Sequence, residues 1–177
     1  MHANQQPFSF YIHIPYCVSK CPYCDFNSHV VAEIPEQSYT RALIQELDYY
    51  AAAADDWRGR PIQSIFFGGG TPSTFHPQSI GKFLEQIAAK FPVLPDCEIT
   101  LEANPGTVDR KNFYGYRQCG INRISIGVQS FQPRLLKFLG RVHSADEAKN
   151  ALEVVRGAGF DNFSLDLIYA NPGQTLE

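Results

Sequence analysis

No apolar run in this 177-residue chain approaches the ~20 residues needed to span a bilayer. Its first ten residues, MHANQQPFSF, lack both a basic start and an apolar segment, so a secretory leader is not expected and a cytoplasmic protein is. Neither sign of charge dominates. Fifteen Lys and Arg against 18 Asp and Glu leave a net charge of −3, which gives no bulk attraction to nucleic acid or anionic membrane. Low-complexity segments and close repeats are missing. So is a disulfide framework: five cysteines is an odd count, and three of them are bunched at Cys17, Cys21 and Cys24. In a reducing compartment such clusters bind metal or do redox work. What is present is 44% hydrophobic and 19% charged residues, the mixture of a folded globular domain with a proper core.

Short β-rich runs at 8–14, 63–67, 98–102, 123–128 and 163–169 alternate with helical patterns. Leu43, Leu47, Tyr50 and Ala54 fall on one helical face, and Ile80, Phe83, Leu84, Ile87 and Phe91 on another. A shorter helix is expected over 109–118. Ser144 and Glu147 form a capping box ahead of Ala148, Leu152 and Val155, with Gly157 as the stop. This rhythm predicts βα units around a parallel sheet, with the ligand site at the carboxyl ends of the strands. The words found there are the cysteine loop, GGGTPS, EANPG, VQSF and YANPGQT. No helix follows the fifth run before Glu177, which leaves a strand edge and an apolar face in need of cover. A piece of something longer is therefore expected.

Three thiolates spaced C-x3-C-x2-C converge only if the backbone between them curls, and Pro22 suits such a turn. Soft sulfur donors suit an iron–sulfur cluster or zinc. A Cys3His zinc site would recruit His13 or His29. A cubane held by three thiolates would instead leave one iron open to a small molecule. Cys97 and Cys119, outside the loop, read as buried thiols.

The words YIHIPYCVSKCPYC, FFGGGTPS, EANPG, RISIGVQSF and LDLIY…PGQT, in that order from Tyr11 to Thr175, resemble the radical S-adenosylmethionine superfamily. Within it they resemble the branch of oxygen-independent coproporphyrinogen III oxidase, and its heme chaperone subfamily most. The oxidase loop carries a further cysteine two residues after the third, where this chain has Phe26. The resemblance implies a partial (β/α)6 barrel of parallel strands, truncated after the fifth strand, with residues 1–177 as the radical SAM core domain.

It also implies site roles. Cys17, Cys21 and Cys24 would hold a 4Fe–4S cluster whose free iron takes the amino and carboxylate groups of S-adenosylmethionine. Tyr11 and Tyr23 would flank that cofactor, and Gly69, Gly70 and Thr71 would approach its methionine end. Glu102 would contact its ammonium or a hydroxyl, and Gln129 and Arg141 would lie near a second cofactor position. Asp166, expected on a strand buried on both faces, would serve the same site. Heme would be cargo, passed to respiratory hemoproteins. Its histidine and tyrosine contacts are expected in a region beyond residue 177.

Two functions follow from the resemblance. One is a heme chaperone that binds the cluster, the cofactor and heme. The other is an oxidase in porphyrin biosynthesis, in which a 5′-deoxyadenosyl radical starts decarboxylation of coproporphyrinogen III. A third reading, independent of the resemblance, is a zinc-stapled α/β domain. YANPGQT departs from the family pattern, with Ala170 and Asn171 where glycine and leucine are expected, so the packing of that turn is expected to differ.

Overall fold

The computed structural model describes residues 6–53, 57 and 59–175. Ala54, placed by periodicity on the first helix, lies outside the described residues. The elements in chain order are β1 (Phe8–Ile14), β2 (Tyr16–Cys17), β3 (His29–Val30), α1 (Glu36–Ala52), β4 (Ile62–Gly69), α2 (Pro77–Lys90), β5 (Val93–Ala103), α3 (Arg110–Gln118), β6 (Arg123–Gln129), α4 (Pro133–Phe138), α5 (Ala145–Gly157) and β7 (Phe163–Leu167). Single 3₁₀ turns, Pro72–Thr74 and Pro105–Thr107, follow β4 and β5.

Five strands form one wholly parallel sheet in the order β1-β4-β5-β6-β7. Each new strand is added beside the last, so the strand order never reverses as it does in a doubly wound sheet. Sequential addition of this kind is how a barrel wall is built, and it sends every strand-to-helix loop to the same end.

Strand alternation divides the sheet into two unlike faces. Ile12, Ile65, Phe67, Leu101, Ile124, Ile126 and Val128 are buried on one. They pack in a single core with Ile80, Phe83 and Ile87 of α2, Phe113 and Tyr116 of α3, and Val155 of α5. The helices pack successively, α1 on α2, α2 on α3 and α3 on α5. The other face is polar and cross-linked. Ser64 donates to Ser9 at 2.7 Å, Arg123 Nη2 to Ser164 at 2.9 Å, and Ser125 to Asp166 at 3.2 Å.

The expected helices are present. All five apolar positions of the α2 pattern are buried, including Phe91 just past its end. The Ser144–Glu147 capping box forms in both directions. On α1, Leu47 is buried while Tyr50 remains about half exposed, so that face covers the core only in part. Among the described residues β7 is an edge strand, paired with β6 alone. Asp166 is exposed there, contrary to the expectation of a strand buried on both faces. Cys97 is buried, whereas Cys119 is only partly so.

Tyr116 ties the helical layer to the functional end of the sheet. Fully buried, its hydroxyl donates to the carbonyls of Ser73 and Phe75, in the turn that follows Thr71. Tyr116→Phe removes the donor from two carbonyls in a dry environment, which is expected to cost about 1–3 kcal/mol. Urea unfolding should show a lower midpoint with an unchanged slope, because the surface exposed on unfolding does not change.

Candidate functional site

The loop after β1 is closed at its base and braced inside. β2 and β3 pair in parallel, Tyr16 with His29 and Cys17 with Val30, and the His29 N–H donates to Pro15 O at 2.6 Å. Cys21-Pro22-Tyr23-Cys24 is a β-turn whose Cys24 N–H donates to Cys21 O at 3.1 Å, with proline at the second position, where its fixed φ fits. Lys20 Nζ donates to the carbonyls of Phe26 and Ser28, both at 3.3 Å, pulling the two limbs together.

The loop after β4 is joined to this one through the main chain. Gly70 N–H donates to Ile14 O at 2.7 Å, and Thr71 N–H to Tyr16 O at 2.8 Å. A Cβ on Gly70 would sit 2.7 Å from Tyr16 O, and one on Gly69 would sit 2.6 Å from the His13 ring. The glycines are therefore needed first for the close approach of the two loops, and they meet the cleft with their backbone. Thr71, in turn, donates its hydroxyl to Cys17 Sγ at 3.5 Å.

A cleft of about 140 Å³ lies at the carboxyl end of the sheet. Eleven of the twelve residues singled out in the sequence line it: Cys17, Cys21, Tyr23, Cys24, Gly69, Gly70, Thr71, Glu102, Gln129, Arg141 and Asp166. Tyr11 is not among them. Its ring stacks on Phe66 and its hydroxyl meets His13 Nδ1 at 3.0 Å, beside the cleft. The cleft also takes in Lys20, Asn104, Ser125 and Gly127, which the sequence reading did not single out. All four lie within or next to words already quoted from strand ends, and that position was the only signal available.

Glu102 and Asp166 form an acidic wall. Glu102 accepts the Gly69 N–H at 3.2 Å, and Ser125 donates to both Asp166 oxygens at 3.2 and 3.3 Å. Burial pushes the Glu102 carboxyl above the usual carboxylate range; the Gly69 hydrogen bond opposes this, and the nearby Asp166 charge adds to it. Gln129 is reached through strain. Its φ is +67°, left-handed for a non-glycine residue, at a break in the β6–β7 register. This turn folds its amide back over Gly127, where an added Cβ would lie 2.9 Å from Gln129 Nε2.

Arg141 enters from the segment between α4 and α5. Its Nη1 donates to Cys21 Sγ at 3.1 Å and to the Tyr23 hydroxyl at 3.4 Å, and its Nη2 to Gly127 O at 2.8 Å. Burial pushes the Tyr23 hydroxyl up to about 12, with the Arg141 charge pulling the other way, so it is a neutral group in the site.

The turn at Ala170 and Asn171 closes on itself. Ala170 adopts φ +59°, a conformation glycine takes without penalty, and the Asn171 side chain bonds Ile168 O at 2.9 Å and Gln174 Oε1 at 3.2 Å.

Cys17, Cys21 and Cys24 bring three soft sulfur donors to one cleft, a set that suits a thiolate-held cluster. Among the described residues, no three His, Cys, Asp or Glu side chains gather closely enough to hold one metal ion. A zinc site needs all its sulfurs about 2.3 Å from one point, whereas a cubane takes each thiolate on a separate iron. His13 is also committed elsewhere, with Nε2 bonded to Asn27 O at 2.8 Å and Nδ1 to Tyr11.

Comparison with known proteins defines the class. The chain belongs to the radical SAM superfamily, whose family profile matches residues 11–177. It is 49% identical over 172 residues to the heme chaperone HemW of Escherichia coli (strain K12), covering 97% of this chain and 45% of that protein. To the heme chaperone HemW of Haemophilus influenzae it is 50% identical over 173 residues, with the same shares covered. The chain thus spans less than half the length of the curated relatives it matches. Among solved structures, coproporphyrinogen III oxidase (HemN) from Escherichia coli superposes with a TM-score of 0.85 at 30% identity, over 97% of this chain and 39% of that one. The cobalamin-dependent radical enzyme OxsB shares the fold alone, with a TM-score of 0.61 at 16% identity over 90% of this chain and 24% of that one.

Because the folded Glu102 carboxyl holds its proton to higher pH than the unfolded chain does, its contribution to stability is complete below about pH 4.3, the ordinary glutamate value. That contribution is lost as pH rises through the folded value. Glu102→Gln keeps an acceptor for the Gly69 N–H and removes the ionisation. The variant without cofactor is expected to melt above the parent at pH 7, with the two curves converging toward pH 4. Equal melting temperatures at both pH values would show that the carboxylate is held without strain.

Proposed function

We propose that this chain is the core of a heme chaperone, binding a 4Fe–4S cluster and S-adenosylmethionine in the cleft at the carboxyl end of its sheet. The observation that carries the reading is one cleft with three thiols on one side and the Glu102–Asp166 carboxylates on another. Cys17, Cys21 and Cys24 would hold the cluster. When bound, it supplies an electron and an iron free to take a small molecule. Glu102 and Asp166 offer anionic acceptors to an ammonium or to hydroxyls, and Gln129 adds an amide able to donate and accept. Thr71 and the backbone of Gly69 and Gly70 border the thiols, and the Pro22 turn keeps the loop over the site.

Identity near 50% to two heme chaperones favours the chaperone over the oxidase. Phe26 supports the same choice, standing 62% exposed at the rim where the oxidase pattern has cysteine. The alternative, oxygen-independent coproporphyrinogen III oxidase, draws on the close superposition with that enzyme. In either case heme or porphyrin would be recognised together with parts of the protein outside the stretch matched here. Heme-accepting respiratory proteins are the proposed partners. No described helix is long and apolar enough to cross a membrane.

Anaerobically prepared chain is expected to carry about four iron and four sulfide, and Cys24→Ala to lose them. S-adenosylmethionine should change the electron paramagnetic resonance of the reduced cluster. About one zinc per chain without sulfide would overturn the reading. At the length of its chaperone relatives, the protein is expected to take up heme and pass it to an apo-hemoprotein while leaving coproporphyrinogen III unconsumed. Anaerobic formation of protoporphyrinogen would decide for the oxidase.

A further inference from the structure

We infer that Arg141 sets how readily the cluster accepts an electron, and that the segment carrying it, Gly140–His143, is a second support for the cysteine loop. The inference rests on the cluster reading of Cys17, Cys21 and Cys24.

Arg141 lies 120 positions from Cys21, yet its guanidinium donates directly to that sulfur at 3.1 Å. The geometry holding it there is built from below. Leu136 O accepts the Arg141 N–H at 2.9 Å, at the end of α4. His143, 3% exposed, contacts Val128 O through Nε2 at 3.1 Å and so fixes the far side of the segment to β6. Gly140, at φ +63°, lies directly under the loop's proline: a Cβ there would be 2.6 Å from Pro22 Cδ. Pro22 thus rests on Gly140 while the next residue grips Cys21 and, through Tyr23, the following turn.

The arginine is also left with an unmet donor. Arg141 Nε is buried without a hydrogen-bond partner among the described residues. An unsatisfied N–H on a partly buried cation is costly, and the cation is stabilised when negative charge arrives beside it. Reduction of a thiolate-held cluster adds one negative charge, and hydrogen bonds to the sulfurs are among the factors that set the cluster's potential. A charge-assisted N–H···S contact in a partly dry site therefore favours the reduced form. Thr71 gives Cys17 only a neutral and longer contact. The charged contact falls on Cys21 alone among the contacts to the three loop sulfurs described here, so one side of the cluster is biased.

The test uses Arg141→Gln and Arg141→Lys, loaded anaerobically beside the parent. Iron and sulfide are counted first, and the midpoint is then followed by paramagnetic resonance during redox titration. Arg141→Gln with a full cluster is expected to disfavour the reduced form at least tenfold, which is about 59 mV for a one-electron couple. Arg141→Lys keeps the charge without the planar fork and should recover part of that loss. A fully loaded Arg141→Gln with the parent's midpoint overturns the inference. If Arg141→Gln does not load, the lysine variant decides: a lowered midpoint supports the proposal and an unchanged one overturns it. A parent chain that binds no iron and sulfide removes the cluster reading itself, a failure distinct from an unshifted midpoint.

Discussion

Two main-chain hydrogen bonds, from Gly70 to Ile14 and from Thr71 to Tyr16, join the loops that leave β1 and β4. Most of the site is positioned from this joint. It brings the start of the cysteine loop against the glycine turn, which sets Thr71 beside Cys17 and the Gly69 N–H beside Glu102. A side chain at position 70 would run into backbone at 2.7 Å, and backbone yields far less easily than a side-chain tip. The glycine run is thus a packing requirement before it is a binding feature. It allows thiols and carboxylates, which come from different strands, to face one space.

The sheet explains why that space is polar. Strand alternation commits every second residue to the apolar layer under the helices. What remains on the other face is a lattice of serines, threonine, Arg123 and carboxylates that bond to one another across strands. These contacts satisfy polar groups without filling the surface, so the face can meet a polar ligand at little cost in desolvation. At its carboxyl end the lattice passes into Ser125, Asp166 and Glu102, and the cleft begins there.

Much of this was legible from sequence because period-two and period-3.6 patterns record burial directly. The five strands and four longer helices fall where periodicity places them, and the Cys-Pro-Tyr-Cys turn is where proline suggests it. Other features left no such trace. α4 has only six residues, too few to display a period. Asp166 is exposed although FSLDLIY reads like a central strand, because among the described residues only one neighbour pairs with it. The purpose of Gly69 and Gly70 was also hidden, since a glycine does not announce which neighbour needs the room. The contact of Arg141 with Cys21 spans 120 positions and depends on how α4 and the segment after it fold. No local pattern could have encoded it.

Unfavourable local arrangements are concentrated at one end of the molecule. Gln129 is left-handed, burial raises the Glu102 carboxyl above the usual carboxylate range, and Arg141 keeps a buried N–H without a partner among the described residues. Each runs against the local consistency seen in such elements as α5, whose capping box closes, and α2, whose apolar face matches the core. Natural sequences tolerate such violations where function requires them. Here the three belong to different elements and line the same cleft. Their charges also complement what the proposal places there: anionic groups where an ammonium would lie, and a cation against the sulfur of a centre that gains negative charge. A structural metal staple would need none of these. A site that binds a charged small molecule beside a reducible cluster has a use for the two carboxylates and for the arginine, and the strain gathered there is in keeping with that reading.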